Sequence, residues 1–487
     1  MSSLRYPSFA LAVMMLAGCA SMNGIATHAT PHDANTLASQ RALDGVNVSD
    51  AAWPTSDWWK ALGDPQLDAL MDEALRESPT LNIAAARTRK AVAAADAGRA
   101  ALSPRIDASA SSTRERFPEH GLVPPPFGGT TQTLNQLQAT LSWELDFWGK
   151  NRFAYEAALG EARAADVDAH AARLALSTAL AQAYVQMQRA YLQLDVAQAT
   201  LVARQRVAAL TRDRNAAGLD SQLEVKQAEA ALPATREAIA ALEERIGLAR
   251  NEISALMGDG PDRGLALARP TTTALASMAL PSNVPADLLG RRPDIVAQRW
   301  RIEAASKEIA SAKAQFYPDV NLLAFVGLES LGGNLLTAAS RTLGAGPAVT
   351  LPIFDAGRLR AQLAGKDADY DIAVEQYNQA LADAMREVVD QLVSFRSLDE
   401  QRREQQAAAA TAREAYDLAV LRYREGLGNY LQVLSAEQPL LAQQSLDADL
   451  RARAVQLSID LVRALGGGYA PAQSAPANLS MTTGDSR

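Results

Sequence analysis

The chain has 487 residues, 21% of them charged and only 5% aromatic, and its formal net charge is -8. That acidic balance offers phosphate backbones no basic face, which excludes nucleic acid as a partner. One cysteine excludes an intramolecular disulfide and any Cys-rich metal site, while a composition dense in Ala, Leu, Gln, Glu and Arg is that of long helices.

Residues 1–18 read as an export signal. Arg5 supplies a positive start, Phe9 to Ala17 is an apolar run too short to span a bilayer as a helix, and small residues follow. Its end, Leu16-Ala17-Gly18-Cys19, resembles the bacterial lipobox, with cleavage before the cysteine and acylation of Cys19. Ala20 in place of Asp gives the lipoprotein no signal to stay in the inner membrane. Residues 19–52 follow as a polar tether.

The remainder is written twice. Pro79 and Pro104 recur as Pro293 and Pro318 at an offset of 214, and beyond them Gly149, Arg152, Gly218, Ala228-Glu229 and Gly258 recur as Gly357, Arg360, Gly426, Ala436-Glu437 and Gly466 at an offset of 208. The change of offset puts a longer loop in the first half, between Pro104 and Gly149. The first repeat is expected over 53–265, with a helix, a β-hairpin at about 103–148, a long helix at 152–217 and a return helix at 221–257. A linker at 266–285 leads to the second repeat over 286–469. It has a helix, a β-hairpin at about 317–354, a long helix at 360–425 and a return helix at 429–465, before a flexible tail over 470–487.

In chain order, Asp64-Pro65 is an N-cap followed by proline at the first helical position, and Leu67, Leu70, Met71, Ala74 and Leu75 make an apolar stripe over a helix from about Gln66 to Ala101. Ile106, Ala108 and Ala110 alternate with Asp107, Ser109 and Ser111. From Gln136 to Phe147 every odd position is apolar and every even one polar, the two-residue period of a strand. Between these strands, Phe117 to Thr131 holds Pro124-Pro125-Pro126 and Gly128-Gly129, which reads as an extracellular loop. Trp143, Phe147 and Trp148 close the second strand as an interfacial aromatic belt.

On the long helix, Leu180, Tyr184, Met187, Tyr191, Leu194 and Leu201 recur as a coiled-coil seam. Gly218 and Gly426 are placed as C-caps. In the second half Arg291-Arg292-Pro293-Asp294 reads as a turn into a helix. Val320, Leu322, Ala324, Val326 and Leu328 form an apolar strand face, though Leu323 and Phe325 blur the other side, and a further strand is expected from about Ala345 to Phe354. Four strands of this length suit a membrane-spanning sheet, yet four cannot close a barrel, so several chains must share one or the strands belong to a soluble sandwich.

These residues carry a family resemblance. Trp58-Trp59-Lys60-Ala61-Leu62-Gly63-Asp64-Pro65-Gln66-Leu67, Leu289-Gly290-Arg291-Arg292-Pro293-Asp294-Ile295, Ala314-Gln315-Phe316-Tyr317-Pro318-Asp319-Val320, Leu351-Pro352-Ile353-Phe354-Asp355-Ala356-Gly357-Arg358 and Ala464-Leu465-Gly466-Gly467-Gly468-Tyr469 resemble the outer-membrane efflux proteins of the TolC and OprM type, in their lipoprotein (NodT) branch. The resemblance implies a mainly α fold with β: a homotrimer whose chains share one twelve-strand outer-membrane barrel, continuous with a long periplasmic α-helical barrel. It implies a passive duct for small molecules, with a periplasmic adaptor protein and an inner-membrane pump of the resistance-nodulation-division class as partners. The lipid on Cys19 would lie in the outer membrane. It also implies a gate at the turns between long and return helices, where acidic residues ring the entrance. Here Gly218 and Gly426 match, whereas Gln432 and Ser435 stand where the family often has Asp; Glu224 is the counterpart of Gln432, and Asp220 lies nearby.

Nothing in the sequence points to an enzyme or to a cofactor: it holds no G-x-S-x-G, no Walker phosphate loop, no H-E-x-x-H and no dinucleotide fingerprint after a strand. His170 has no His or Cys neighbour in sequence with which to share a metal. Two other readings stay open. One is a duct that secretes proteins; the other is a lipid-anchored coiled-coil scaffold without a pore, which leaves the alternating strands unexplained.

Overall fold

A computed structural model describes residues 21–34, 53–272 and 290–470. Cys19 with its lipobox, most of the tether, the larger part of the linker and the tail from 471 lie outside the described residues. The element order is α1 (Pro65–Glu77), α2 (Pro79–Ala100), β1 (Arg105–Arg116), β2 (Thr131–Leu145), α3 (Lys150–Ala216), α4 (Gln222–Met257), a short α5 (Asp262–Leu265), α6 (Pro293–Ala314), β3 (Asp319–Leu331), β4 (Arg341–Thr350), α7 (Arg358–Arg424) and α8 (Tyr430–Ala464). Helices α3 and α7 each have 67 residues, about 100 Å at 1.5 Å per residue.

Two expected elements differ in the structure. The single helix from Gln66 to Ala101 is two, because Pro79 has no N–H to donate and Ser78 leaves helical geometry with ψ at 130°. The last strand is Arg341–Thr350 rather than Ala345 to Phe354. Pro352 cannot donate to a ladder, and upstream Arg341, Thr342 and Leu343 pair with Leu328, Gly327 and Val326.

The chain divides into two compact units. One gathers 21–31, Arg87–Asp166 and Ala297–Tyr377. It contains an antiparallel sheet in the order β1-β2-β3-β4. The register sets Ile106 beside Leu141, Leu141 beside Ala324 and Ala324 beside Ala345. Directly paired residues share a face, so the two sides of the sheet can be read off row by row. One side carries Leu137, Val326, Leu343 and Val349, all well exposed. The other is mainly polar, with Asp107, Gln136, Gln138 and Glu329, though it also carries Leu323 and Phe325; Gln136 Nε2 donates to Glu329 at 2.9 Å. Beside the sheet the helices approach through small residues: Gly98 lies against Tyr155, and a Cβ on Gly160 would stand 3.0 Å from that of Ala304.

Residues 21–34 are stitched along α7. Arg360 donates to the carbonyls of Ser21 and Asn23, and Asp371 accepts from the amides of His28 and Ala29 at 3.0 and 2.9 Å. Met22 and Ile25 pack on a cluster that includes Phe316, Leu359 and Leu363.

The other unit takes the described parts of His32–Ala86, Val167–Val296 and Asn378–Arg487. Its largest core joins Trp58, Trp59, Leu67, Met71, Leu180, Tyr184, Met187, Ile253 and Ile459. The first turn of α1 shows why Asp64-Pro65 is there. The buried Asp64 carboxylate accepts from the Gln66 amide at 2.9 Å, the Thr271 amide at 2.6 Å and the Tyr184 hydroxyl at 3.0 Å. A capping residue here also ties α1 to α3 and to the chain after α5. Arg292 is buried and bonded to Asp294, Glu387 and the carbonyl of Ala464, which makes it a structural residue. His170 packs against Tyr469 with ring centroids 5.2 Å apart.

Candidate functional site

The far ends of α3 and α7 turn back into α4 and α8, and the two turns repeat one another in backbone. Gly218 and Gly426 sit at φ 73° and 76°, a region that costs any side chain strain. The amides of Leu219 and Leu427 close onto the carbonyls of Arg214 and Arg422 at 2.9 and 2.8 Å, satisfying two of the helix-end acceptors. Each return helix then starts on a polar cap, Ser221 or Asn429.

The side chains differ. In the first turn Ser221 and Glu224 form a capping box: Ser221 Oγ accepts from the Leu223 amide, and the Glu224 carboxylate accepts from the Ser221 amide at 2.9 Å and from its hydroxyl. These bonds, led by the Ser221 side chain, hold the Glu224 carboxyl below its ordinary range, so it stays ionised. In the second turn the equivalent Gln432 is neutral, and its backbone N–H donates to Asn429 Oδ1 at 3.1 Å. Ser435 turns its hydroxyl back onto the carbonyl of Leu431 at 2.8 Å. Glu224, Gln432 and Ser435 are all outside the core.

Asp220 does something else. Its carboxylate accepts from Arg214 Nε at 3.0 Å, from Arg214 Nη2 at 3.3 Å and from the Tyr423 hydroxyl. Arg214 Nη1 reaches the Tyr423 carbonyl at 2.8 Å, its guanidinium lies 4.6 Å from the Tyr423 ring centroid, and the Tyr423 hydroxyl oxygen lies 3.0 Å from the Thr211 hydroxyl. Burial, then the Asp220 carboxylate, pushes the Tyr423 phenol up to about 12. The Asp220 side chain is 8% exposed. It is a buried latch between the two turns rather than a free carboxylate beside Glu224.

A second junction lies further along the same helices. Arg204 on α3 forms a bidentate pair with Glu437 on α8 at 2.9 and 3.0 Å and also donates to Thr235 on α4 at 2.8 Å. Arg204, Arg214, Thr211 and Tyr423 did not stand out in the sequence. The repeat itself was the available signal: Glu437 is the counterpart of Glu229, and Arg214 of Arg422, four residues before a cap glycine in both turns.

At the sheet, Trp143 Nε1 donates to the Leu102 carbonyl at 3.1 Å and Trp148 Nε1 to that of Pro318 at 3.0 Å, with Trp148 stacked on Tyr317 at 4.7 Å. Phe147 is 67% exposed. All three lie where strands meet helices. Among the described residues no His, Cys, Asp or Glu group could hold a metal ion, and no helix is long and apolar enough to cross a membrane.

The model of the outer membrane efflux protein family matches residues 70–259 and 284–467, one stretch per repeat. The chain is 42% identical over 369 residues to the fusaric acid resistance protein FusA of Burkholderia cepacia, covering 74% of this chain and 69% of that protein. It is 32% identical to the multidrug resistance outer membrane protein MdtP of Escherichia coli, over 93% and 94% of the two chains. The crystal structure of the outer membrane protein VceC from Vibrio cholerae superimposes with a TM-score of 0.80 at 38% identity, over 85% of this chain and all of that one. The duplicated matches, the shared fold and the four-stranded sheet with one apolar face together place the chain in the outer membrane efflux protein family, as a channel and not an enzyme.

Proposed function

We propose that three copies assemble one passive duct: their sheets close a twelve-strand outer-membrane barrel, and their paired helices line a periplasmic conduit. The observation that carries this reading is the sheet, with an apolar side, a polar side and two unpaired edges, β1 and β4, which lipid does not tolerate open. Closure by copies of the same chain satisfies both edges. The sequence holds no Walker phosphate loop, and the energy comes from an inner-membrane pump of the resistance-nodulation-division class, joined through a periplasmic adaptor. The cargo is small and organic, in keeping with relatives named for fusaric acid and multidrug resistance. Cys19 carries the acyl chains that fasten each protomer to the outer membrane.

Glu224 supplies the charge at the entrance. Repeated three times near one axis, its ionised carboxylates attract cations, while Asp220 stays in the latch that holds the turns together; Gln432 and Ser435 of the second repeat are neutral. Planar-bilayer recordings of Glu224→Gln trimers test this: lower cation selectivity than the parent is expected, and equal selectivity leaves Glu224 as surface charge. Heat-modifiable migration of the outer-membrane fraction tests the barrel, and an epitope inserted after Gly128 that is reached on intact cells places the proline loop outside.

A further inference from the structure

The apolar side of the sheet carries a charge asymmetry. By register this side holds the even positions of β1 and β3 and the odd positions of β2 and β4. Among the described residues it presents no acidic side chain: Asp107, Glu115, Glu144, Asp319 and Glu329 all fall on the opposite, polar side. Its only charges are Arg114, Arg116 and Arg341, all exposed.

Their placement is as biased as their sign. Arg341 is the β4 member of the outermost apolar row, paired with Leu328, which pairs with Leu137, which pairs with Ala110. Arg114 and Arg116 lie beyond it on β1, next to the polar residues Thr133 and Thr131. All three are at the loop end of the sheet, and none is among the apolar rows nearer the helices. A guanidinium facing lipid is expensive at the bilayer midplane and nearly free at the headgroup level, so the row marks where hydrocarbon ends. The connecting loops hold one acid, Glu119, which lies against Gly129.

The chemistry of the residues narrows the partner. None of the four strands contains a lysine; the cations are all planar forks suited to two-oxygen contacts with phosphate. Arg341 lies on edge strand β4 and the other two on edge strand β1, so in a closed trimer the loop end of one copy's β4, with Arg341, adjoins the loop end of the following copy's β1, with Arg114 and Arg116. We propose that this three-arginine seam, repeated at each junction, binds the phosphate groups of the anionic glycolipid, lipopolysaccharide, in the outer leaflet. The proposal rests on the trimeric barrel described above.

Purified full-length trimers can be incubated with lipopolysaccharide or with the same material stripped of phosphate, and retained glycolipid measured by native mass spectrometry. The parent is expected to retain the phosphorylated form at least five-fold better. The triple variant Arg114→Gln, Arg116→Gln, Arg341→Gln is expected to lose that preference, and the control Arg105→Gln, on the opposite side of β1, to keep it. Equal retention of both glycolipids by the parent overturns the proposal whether or not the triple variant folds, as does an equal loss in the control. Heat-modifiable migration of the same parent sample reports on the barrel: a protein that migrates as a barrel yet shows no preference defeats the seam alone, and one that does not migrate so removes both.

Discussion

The two tip turns share a backbone and differ in almost everything attached to it. Gly218 and Gly426, the closing bonds of Leu219 and Leu427, and the polar caps Ser221 and Asn429 match in place and geometry. The side chains have parted: Asp220 corresponds to Gly428, Glu224 to Gln432, and Tyr423 to Asn215. What survives duplication is therefore the chain reversal, which φ and hydrogen bonding dictate. What diverges is charge and the latch, so that one turn carries the acid and the other carries the tyrosine that grips it.

The sharpest way to break this comparison is at the equivalent pair Glu437 and Glu229. Glu437 is buried against Arg204, whereas Glu229 meets Arg212 and Lys226 at the surface. Glu437→Ala leaves the half-buried Arg204 guanidinium without its carboxylate and is expected to cost about 2–4 kcal/mol in denaturant unfolding; Glu229→Ala is expected to cost less than about 1 kcal/mol. Equal costs would mean that the repeats are energetically alike. Next comes Asp220→Ala, which unpairs Arg214, itself only 10% exposed, and removes an acceptor from Tyr423. Limited proteolysis should cut between Ala216 and Ser221 several times faster than in the parent, and unchanged rates would show that the latch does not hold the turn.

Gly218→Ala and Gly426→Ala test the part held in common. Both positions have positive φ, and a new Cβ meets nothing at Gly218 and only the far end of Arg214, at 3.9 Å, at Gly426. Each should cost about 1 kcal/mol from backbone strain alone, and a marked inequality would break the equivalence of the two turns. The smallest effect in stability is expected from Gln432→Glu, which writes the first turn's charge into the second. Cation selectivity in planar bilayers should rise above that of the parent, and a fall would place the second turn away from the entrance. Finally, the Tyr423 phenol has a folded value of about 12, above the ordinary 10. Its contribution is fully present below pH 10 and lost as pH rises through about 12, so ultraviolet titration should find this phenol ionising later than an exposed tyrosine.

The fold class was legible because it is repetitive. Paired prolines and glycines at fixed offsets, a period of two in Gln136 to Phe147 and two long stretches without proline all leave marks that survive without an alignment. The latch and the Arg204–Glu437 pair leave only the repeated positions Arg214/Arg422 and Glu229/Glu437, which do not say which of them is buried. Their partners are 203 and 233 residues apart, and on a long helix an Arg or Glu that will be buried reads like one that stays solvated. The break at Ser78-Pro79 was written in the sequence but overrun by the apolar stripe on either side of it. Asp220 could be placed at the turn from sequence, but not its direction, because a turn carboxylate has no periodicity to orient it.

The equal length of α3 and α7 has a consequence for which changes the chain can tolerate. The two helices meet at their far ends through Arg214 and Tyr423, so each sets the length the other must have. Seven residues added to one alone would displace its turn by about 10 Å and tear the latch, while the same insertion in both would carry latch, caps and junctions along intact. Natural length variants of such ducts should therefore change the two long helices together, like the two rails of a ladder, and single-helix insertions should be confined to chains that have already lost the partners of Asp220.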